Sequence, residues 1–333
     1  MKPNLTVLAA LVAFAATPAL AQDCPEGQRL FEHAAGETCI PENPQRIASL
    51  HRLTATLTLM DLGAMDRIVA SEGHPTEDAY FSDLVSSLLD IDLQDTDITF
   101  YGWEVDLERL AALEPDLIIA RPWDTEIYDQ LGQIAPMISL PIDVDFLDYM
   151  GIIADAGGVE AEYDAARAAY EARIETVRLR IPNAPEIEVA VIYADDSEIG
   201  LYNNFYALTQ VLDDLGFSRR DVVDEAFLGF EGAYDHATSV PISAERIDII
   251  DADILFAAYW YPWTDEKPGR NFIRDNLDAQ VPGFCQFLEV CEARQIVYFD
   301  AAETYSGSFA SLHAAIDLIE QHVANRDLVQ VIE

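Results

Sequence analysis

The chain contains two copies of one residue pattern, and this duplication constrains its fold more than any other feature. Residues 106–120 read DLERLAALEPDLIIA, and residues 243–257 read SAERIDIIDADILFA. In each copy, apolar residues recur at helical spacing, and an Asp then opens a short apolar run typical of a buried parallel strand. Only four of the fifteen aligned residues are identical, so the comparison rests on the pattern. It predicts two similar α/β lobes.

Strand-like and helix-like segments alternate around a long helical stretch. In the first half, strands are predicted at 46–50, 67–70 and 136–140 and helices at 53–62 and 127–134, while 72–99 looks acidic and less regular. Alternating strands and helices indicate parallel sheets. Residues 144–180 read as a helix interrupted near Gly157 and Gly158, whose second part of roughly 20 residues would reach about 30 Å. The second half then has strands at 187–193 and 295–300, a loop at 194–202 and helices at 205–215 and 311–324.

The N-terminus has the features of a cleavable secretory signal. Lys2 precedes an apolar run over residues 5–16, and Ala19, Leu20 and Ala21 suit signal peptidase. Pro18 breaks the run, which falls short of the roughly 20 apolar residues that a membrane span needs. Residues before Cys24 lack a lipoprotein pattern, so we expect a soluble periplasmic protein without a lipid anchor. The predicted organisation is a signal peptide (1–21), a disulfide-tied segment (22–43), an N-terminal lobe (44–142), a connecting backbone helix (143–182) and a C-terminal lobe (183–333).

Four cysteines form two local pairs, Cys24 with Cys39 and Cys285 with Cys291. An even count in an exported chain favours disulfides. The alternative is a four-thiolate metal site, but neither spacing is the C-x-x-C typical of zinc sites. We therefore expect two disulfides and no metal centre.

The chain is strongly acidic, with 60 Asp and Glu against 19 Lys and Arg and a net charge of −41. Such a field repels nucleic acid and anionic membranes, which excludes both as expected partners. The simplest interpretation is a solvated acidic surface suited to a salty medium. Against this background, an arginine at the end of a strand becomes more informative.

Three segments together resemble a known family. Residues 33–50 (HAAGETCIPENPQRIASL) are similar to the start of the mature domain in periplasmic ferric-siderophore-binding proteins of ABC importers, a group that includes vitamin B12 and haem binders. The two repeats resemble the signatures of that family's lobes, and the likeness runs through the whole mature chain. The resemblance implies a class III periplasmic binding protein fold, in which two Rossmann-like lobes with parallel sheets are joined by a rigid helix. It implies ligand in the cleft, little hinge closure and no cofactor.

The resemblance also implies a membrane partner. In this family, one glutamate at the start of the repeated helix of each lobe docks onto arginines of the ABC permease, and these positions fall on Glu108 and Glu245. Each carboxylate could instead simply favour the positive end of its own helix. The duplication places the same charge on both lobes, which suits docking onto two related permease subunits. We expect the binding protein itself to be a monomer.

Aromatic and basic side chains follow the predicted strands, where ligands bind in open α/β sheets. Such residues suit a bulky anionic ligand with planar groups, as in a ferric siderophore. His51 is more typical of a hydrogen-bonded core or loop residue, both arginines could pair with surface carboxylates, and Tyr305 could be a surface ring in a flexible loop. The candidate ligand contacts are Arg52, Tyr101, Trp103, Arg121, Trp123, Tyr202, Tyr259, Trp260, Tyr261, Trp263 and Tyr305.

Other functions fit the sequence less well. A zinc or manganese binder needs grouped His and carboxylates, whereas the six His are scattered. Haem or cobalamin in the same fold stays open, because a single Tyr or His can ligate haem. The chain lacks the G-x-S-x-G, H-E-x-x-H and phosphate-loop motifs of common enzyme classes. An exported enzyme would have to use paired carboxylates, such as Asp195 and Asp196, so we expect binding without catalysis.

Overall fold

Two five-stranded sheets and one hairpin organise the protein. A computed structural model describes residues 24–74, 79–141, 144–219, 239–259 and 270–324. The predicted signal peptide and three candidate contacts, Trp260, Tyr261 and Trp263, lie outside these ranges. The strands are β1 (Gln28–His33) and β2 (Gly36–Pro41) in the hairpin, β3 (Ile47–Ser49), β4 (Ile68–Ser71), β5 (Thr99–Phe100), β6 (Leu117–Ala120) and β7 (Met137–Ser139) in the first sheet, and β8 (Val189–Ala194), β9 (Ile199–Tyr202), β10 (Ser239–Ile242), β11 (Ile254–Tyr259) and β12 (Ile296–Asp300) in the second.

The helices cover both faces of the sheets. They include a 3-10 helix, Ala244–Ile250, and one π-helical turn, Arg52–Thr56, where an α-helical start was predicted. The α-helices are α1 (Leu57–Asp61), α2 (Ala79–Leu89), α3 (Leu107–Ala112), α4 (Tyr128–Ile134), α5 (Phe146–Gly157), α6 (Glu160–Arg178), α7 (Tyr206–Leu215), α8 (Arg270–Gln280), α9 (Glu289–Ala293), α10 (Ala301–Tyr305) and α11 (Phe309–His322). Helix α2 lies in the stretch that looked irregular in sequence.

The first sheet is parallel throughout, whereas the second is mixed. The strand orders are β5-β4-β3-β6-β7 and β10-β9-β8-β11-β12, so β3 and β8 occupy the same central position. Strand β9 runs antiparallel to both neighbours, in a segment where the sequence indicated only a loop. The fold is therefore the expected α/β two-lobed architecture, with one hairpin inserted in the second sheet.

The duplicated pattern occupies equivalent places in the two lobes. Strand β6 pairs with β3 and β7, and β11 pairs with β8 and β12. The Asp that opens the apolar run of each copy makes the same kind of bond, since Asp116 accepts from the backbone N–H of Arg46 at 2.9 Å and Asp253 from that of Glu188 at 2.9 Å. Each carboxylate thus satisfies a backbone donor of the chain entering the central strand.

The helix of the second copy departs from the prediction. It is a 3-10 helix, and Arg246 within it has non-helical dihedrals of φ −114° and ψ 29°. In the first copy, the Asp106 side chain caps α3 by accepting from the Arg109 N–H at 3.0 Å. The second copy has Ser243 at that position, and its side chain makes no such bond. The start of this helix therefore lacks the side-chain cap that supports α3, although Ser is as favourable as Asp at an N-cap position.

The long connecting segment consists of two helices. Helix α5 ends where Gly158 adopts a left-handed conformation with φ 65°, at the predicted interruption. The 19 residues of α6 span about 28 Å at 1.5 Å per residue. The Tyr163 hydroxyl donates to the Leu147 carbonyl at 2.8 Å, joining the two helices. At its other end, α6 reaches the last helix through Arg173, whose guanidinium binds Asp317 and Glu320.

The lobes share one hydrophobic core and touch directly. Buried residues from both sheets, both connecting helices and α11 form one continuous apolar cluster. The Thr58 hydroxyl donates to the Gly307 carbonyl at 2.6 Å, and the Gly307 N–H donates to the Leu53 carbonyl at 2.9 Å. A side chain at Gly307 would meet the Thr54 Cα at 3.1 Å. Such close backbone packing resists large relative motion of the two lobes.

Both expected disulfides are present, Cys24–Cys39 and Cys285–Cys291. The first closes the β1–β2 hairpin, which packs against β7 through a 3.2 Å bond from the Ala34 N–H to the Ser139 carbonyl. In the described ranges, no helix is both long and apolar enough to cross a bilayer.

Removing the first disulfide is expected to destabilise the protein. The pair spans 15 residues, so Cys24→Ser with Cys39→Ser should lower the free energy of unfolding by about 3 kcal/mol in the chain-entropy model. Urea denaturation measures this loss. The matched control, Cys285→Ser with Cys291→Ser, opens a loop of only 6 residues and should cost less. An equal or larger loss in the control would contradict the argument.

Candidate functional site

Charged and aromatic side chains converge at the carboxyl edge of the first sheet. Four strands end there side by side and deliver residues from distant parts of the sequence. All four strands are short. The chain turns directly after each one, so the side chains that follow the strands lie close together at this edge of the sheet. Strand β3 leads to His51 and Arg52, β4 to Glu72, β5 to Tyr101 and Trp103, and β6 to Arg121, Trp123 and Asp124.

Two arginines and two carboxylates form a compact cluster at this edge, which we call the arginine–carboxylate cluster (Arg52, Glu72, Arg121, Asp124). The Arg121 guanidinium binds both oxygens of Asp124, each at 2.8 Å, and one oxygen of Glu72 at 2.9 Å. The other Glu72 oxygen lies 3.6 Å from Arg52 Nη1. One carboxylate thus joins the two arginines that sequence analysis singled out.

Burial and attraction act in opposite directions on Glu72. Burial raises the pKa of its carboxyl, and the neighbouring Arg52 and Arg121 oppose this rise without cancelling it. Burial is also the main reason why the pKa of Tyr101 is raised, followed by the nearby Glu72 charge. The Tyr101 hydroxyl faces the Leu50 carbonyl at 3.4 Å. Tyr101 therefore stays protonated beside the charges of the cluster.

Two tryptophans cover the cluster on its outer side. The Arg52 guanidinium carbon lies 4.6 Å from the Trp103 ring centroid, and that of Arg121 lies 5.7 Å from the Trp123 ring. Both rings stay exposed, Trp103 by 41% and Trp123 by 49%. His51 is buried and its ring meets Trp123 edge-on at 5.3 Å, as expected for a loop residue with packing partners. The surface offered to a ligand is thus mainly aromatic.

Two glycines bring the exits of β4 and β5 together. The Gly73 and Gly102 backbones exchange hydrogen bonds of 3.0 and 3.1 Å. Gly102 has φ +94°, and a Cβ there would stand 3.0 Å from His74 Nε2. The positive φ and the close approach of His74 both favour glycine at position 102. The His74 ring in turn contacts Trp103 with centroids 5.9 Å apart, which fixes one side of the exposed tryptophan.

The second lobe contributes an acidic and aromatic edge. Tyr259 ends β11, and its pKa is raised first by burial and then by the charges of Asp300 and Glu303. Asp300 ends β12 and caps α10 by accepting from the Ala302 N–H at 3.0 Å. The Glu303 carboxylate accepts from the Ser87 hydroxyl of the first lobe at 2.6 Å.

Two predicted contacts from the second lobe occupy unexpected places. Tyr202 was expected at a carboxyl edge, but β9 is antiparallel, and its pairing with β8 places Tyr202 toward the opposite edge. Its ring is buried, 4.7 Å from that of Phe205. Tyr305 was expected in a flexible loop, yet it ends α10 and packs 4.7 Å from the Tyr206 ring. Tyr202 therefore lies within the shared core, and Tyr305 is half-buried against it.

Asp195, considered as half of a carboxylate pair, forms the turn between β8 and β9. It accepts bonds from the Ser197 N–H at 2.8 Å, the Ser197 hydroxyl at 2.7 Å and the Glu198 N–H at 2.9 Å. Burial raises its pKa, but these bonds outweigh burial and the net shift is downward. A carboxyl with a lowered pKa in a tight turn serves the backbone and is a poor general acid.

Glu108 and Glu245 occupy matching surface positions. Each is exposed in the first turn of its repeat helix, after strands β5 and β10 at equivalent edges of the two sheets. In the part of the chain that the structure describes, no group of three or more His, Cys, Asp or Glu side chains is arranged to hold a metal ion.

Sequence reasoning found both arginines but missed Glu72 and Asp124. One signal was available for Asp124, since it follows Arg121 by three residues in a loop, a spacing at which the two side chains can meet. Glu72 gave no such signal, because it is one of 60 acidic residues and its partners lie 20 and 49 positions away.

Comparison with known proteins agrees with this architecture. The sequence profile described as periplasmic binding protein matches residues 47–282. YhfQ of Bacillus subtilis is 30% identical over 229 residues, which cover 63% of this chain and 67% of YhfQ. Its name describes it as an ABC transporter substrate-binding lipoprotein. The ferric-anguibactin-binding protein FatB of Vibrio anguillarum is 24% identical over 306 residues, covering 86% of this chain and 85% of FatB.

A solved structure shows the same fold. The crystal structure of Staphylococcus aureus SirA complexed with staphyloferrin B superposes with a TM-score of 0.69 at 23% identity, over 88% of this chain and 98% of SirA. Because the profile matches well over half of the chain, it identifies the family of binding proteins to which the two lobes correspond. The chain belongs to the periplasmic binding protein family.

Proposed function

We propose that this chain is an exported binding protein that holds a ferric siderophore between its lobes and delivers it to an ABC permease. The observation that carries the proposal is the arginine–carboxylate cluster beneath two exposed tryptophans, at the edge where α/β sheets bind ligands. Flat aromatic faces with guanidinium groups behind them suit a large ligand with planar chelating groups. The names of FatB and of the SirA complex point to the same class of ligand.

Export and delivery complete the proposal. The N-terminal segment 1–21 acts as a cleavable signal, and the mature protein works in the periplasm as a monomer. The two disulfides suit that oxidising compartment. Members of this family bind ligands, and the turn-forming role of Asp195 offers no support for catalysis.

Fluorescence titration of the mature protein tests the ligand class. Trp103 and Trp123 are exposed at the proposed site, so a bound ferric complex should quench their emission. We expect tight, stoichiometric quenching by a ferric siderophore among catecholate, hydroxamate and citrate-type complexes, and none by haem or cobalamin. Tight binding of haem or cobalamin alone would replace the siderophore with that ligand. Turnover of a substrate without binding of any of these ligands would contradict the proposal.

Permease docking is proposed at Glu108 and Glu245. Glu108→Arg combined with Glu245→Arg should abolish ligand uptake by cells, because both contacts would become repulsive toward arginines of the permease. Ligand affinity in vitro should not change, since both side chains are exposed on helix starts outside the arginine–carboxylate cluster. Glu160→Arg with Glu289→Arg, at exposed helix starts elsewhere, is the matched control for the added charge. Normal uptake by the docking variant would rule out this role.

A further inference from the structure

The arginines of the proposed site are already neutralised within the protein. The side chains of Arg52 and Arg121 are each 12% exposed, and those of Glu72 and Asp124 are 9% and 8% exposed. Two positive and two negative charges are thus enclosed together. The arginine–carboxylate cluster as a whole carries no net charge.

The geometry leaves little capacity for an anionic ligand at Arg121. Its Nε and Nη2 atoms donate to Asp124, and its Nη1 atom donates to Glu72. All three guanidinium nitrogens therefore already serve a carboxylate. Three of the five guanidinium N–H groups make these bonds, and a ligand carboxylate or catecholate that displaced either protein carboxylate would leave a buried charge without its partner.

The second lobe also carries negative charge. Asp300 and Glu303 lie close enough to Tyr259 to raise the pKa of its hydroxyl, after the larger effect of burial. The whole chain carries a net charge of −41. A field of this sign lowers the local concentration of anions and raises that of cations. Both the neutralised arginines and the long-range field disfavour a polyanionic ligand.

We propose that Glu72 and Asp124 determine specificity by making the site select ferric complexes of low net charge over polyanionic ones. Three hydroxamates carry one negative charge each and neutralise ferric iron, whereas three catecholates carry two each and leave a trianion. The selected class is therefore the trihydroxamate complex. It meets the exposed faces of Trp103 and Trp123 and needs no unpaired guanidinium. This inference rests on the proposed function.

Calorimetric titration with two probes tests the inference. Ferrichrome supplies a neutral trihydroxamate complex and ferric enterobactin a trianionic tricatecholate complex. At low ionic strength, the wild-type protein should bind ferrichrome at least about tenfold more tightly, because the neutral cluster offers a trianion no compensating positive charge and the acidic chain repels it. Glu72→Gln should reduce the affinity ratio by about tenfold, and added salt should reduce it as well.

Two further variants distinguish an effect of the charges in the cluster from an effect of the net charge of the chain or of misfolding. Glu289→Gln removes the same charge from an exposed position at the start of α9, outside the cluster, and should leave the ratio unchanged. Asp124→Asn should shift the ratio in the same direction as Glu72→Gln, and circular dichroism of both variants verifies folding. If Glu72→Gln does not fold, Asp124→Asn decides the matter.

The outcomes distinguish this inference from the proposed function. Equal or tighter binding of ferric enterobactin by the wild-type protein would overturn the charge selection while leaving siderophore binding intact. An unchanged ratio in the folded cluster variants would also overturn it. If neither these nor any other ferric complex binds, the proposed function fails and the inference fails with it.

Discussion

Replacing Arg121 with leucine is expected to lower the free energy of unfolding by about 3–5 kcal/mol, because it leaves two buried carboxylates without their main partner. Asp124 would lose both bonds of 2.8 Å, and Glu72 would lose its bond of 2.9 Å. Glu72 would keep the longer contacts to Arg52, 3.4 Å to its backbone N–H and 3.6 Å to Nη1. Urea denaturation followed by circular dichroism measures the loss.

The cost should come from the stranded charges and not from the missing guanidinium itself. Adding Glu72→Gln and Asp124→Asn to Arg121→Leu should therefore restore a large part of the lost stability. Arg167→Leu is the matched control, since its pairing with Glu171 is largely exposed and should contribute about 1 kcal/mol or less. A loss for Arg121→Leu no greater than that for Arg167→Leu would show that the cluster is not the buried network described above.

The second large effect is expected on ligand affinity. For the ferric complex that the wild-type protein binds, Trp103→Ala and Trp123→Ala should each weaken binding by about tenfold to a hundredfold, as truncation of a central aromatic contact does at other interfaces. The rings are exposed by 41% and 49%, so a ligand can cover a large apolar area on each. Calorimetry is the appropriate measurement, because each variant lacks one of the two tryptophans whose emission would report binding at the site.

Two comparisons make this result specific. Trp103→Phe and Trp123→Phe should retain much of the affinity, since a smaller aromatic face remains. Phe287→Ala removes another exposed aromatic ring, from the segment that precedes β12 at the other edge of the second sheet, and should have no effect on affinity. If Phe287→Ala weakened binding as much as the tryptophan variants, the ligand site would lie elsewhere on the molecule.

Much of the fold could be predicted because its signals are local. The two repeated strands, the first repeat helix, the interruption at Gly158 and the two cysteine pairs depend on residues close together in the chain, and the structure contains them all. Strand β9 is different. Its four residues form a strand through pairing with β8 and β10, so neither its existence nor its direction is encoded in its own periodicity. Because the sequence did not reveal that β9 runs antiparallel, Tyr202 was predicted at the opposite edge of the second sheet.

The candidate site, too, could be predicted only in part. The positions that follow the predicted strands included Arg52, Trp103, Arg121 and Trp123, and the structure brings these four side chains together at one edge of the first sheet. The role of the two arginines was predicted incompletely. The sequence shows two positive charges but does not show which carboxylates pair with them. Their pairing with Glu72 and Asp124 changes the site from positive to neutral.

The sequence by itself determined the two-lobed α/β plan, the disulfide pairs and the residue types at the ends of the strands, because hydrophobic periodicity and spacing are properties of neighbouring residues. The tertiary structure alone decided the direction of β9, the burial of Tyr202 and the charge of the site. The positive charge of an arginine is neutralised by a carboxylate that lies within a few ångströms, wherever that carboxylate stands in the sequence. For Arg121 one such carboxylate, Glu72, stands 49 positions away in the chain and comes into contact only when β4 and β6 take their places on either side of β3.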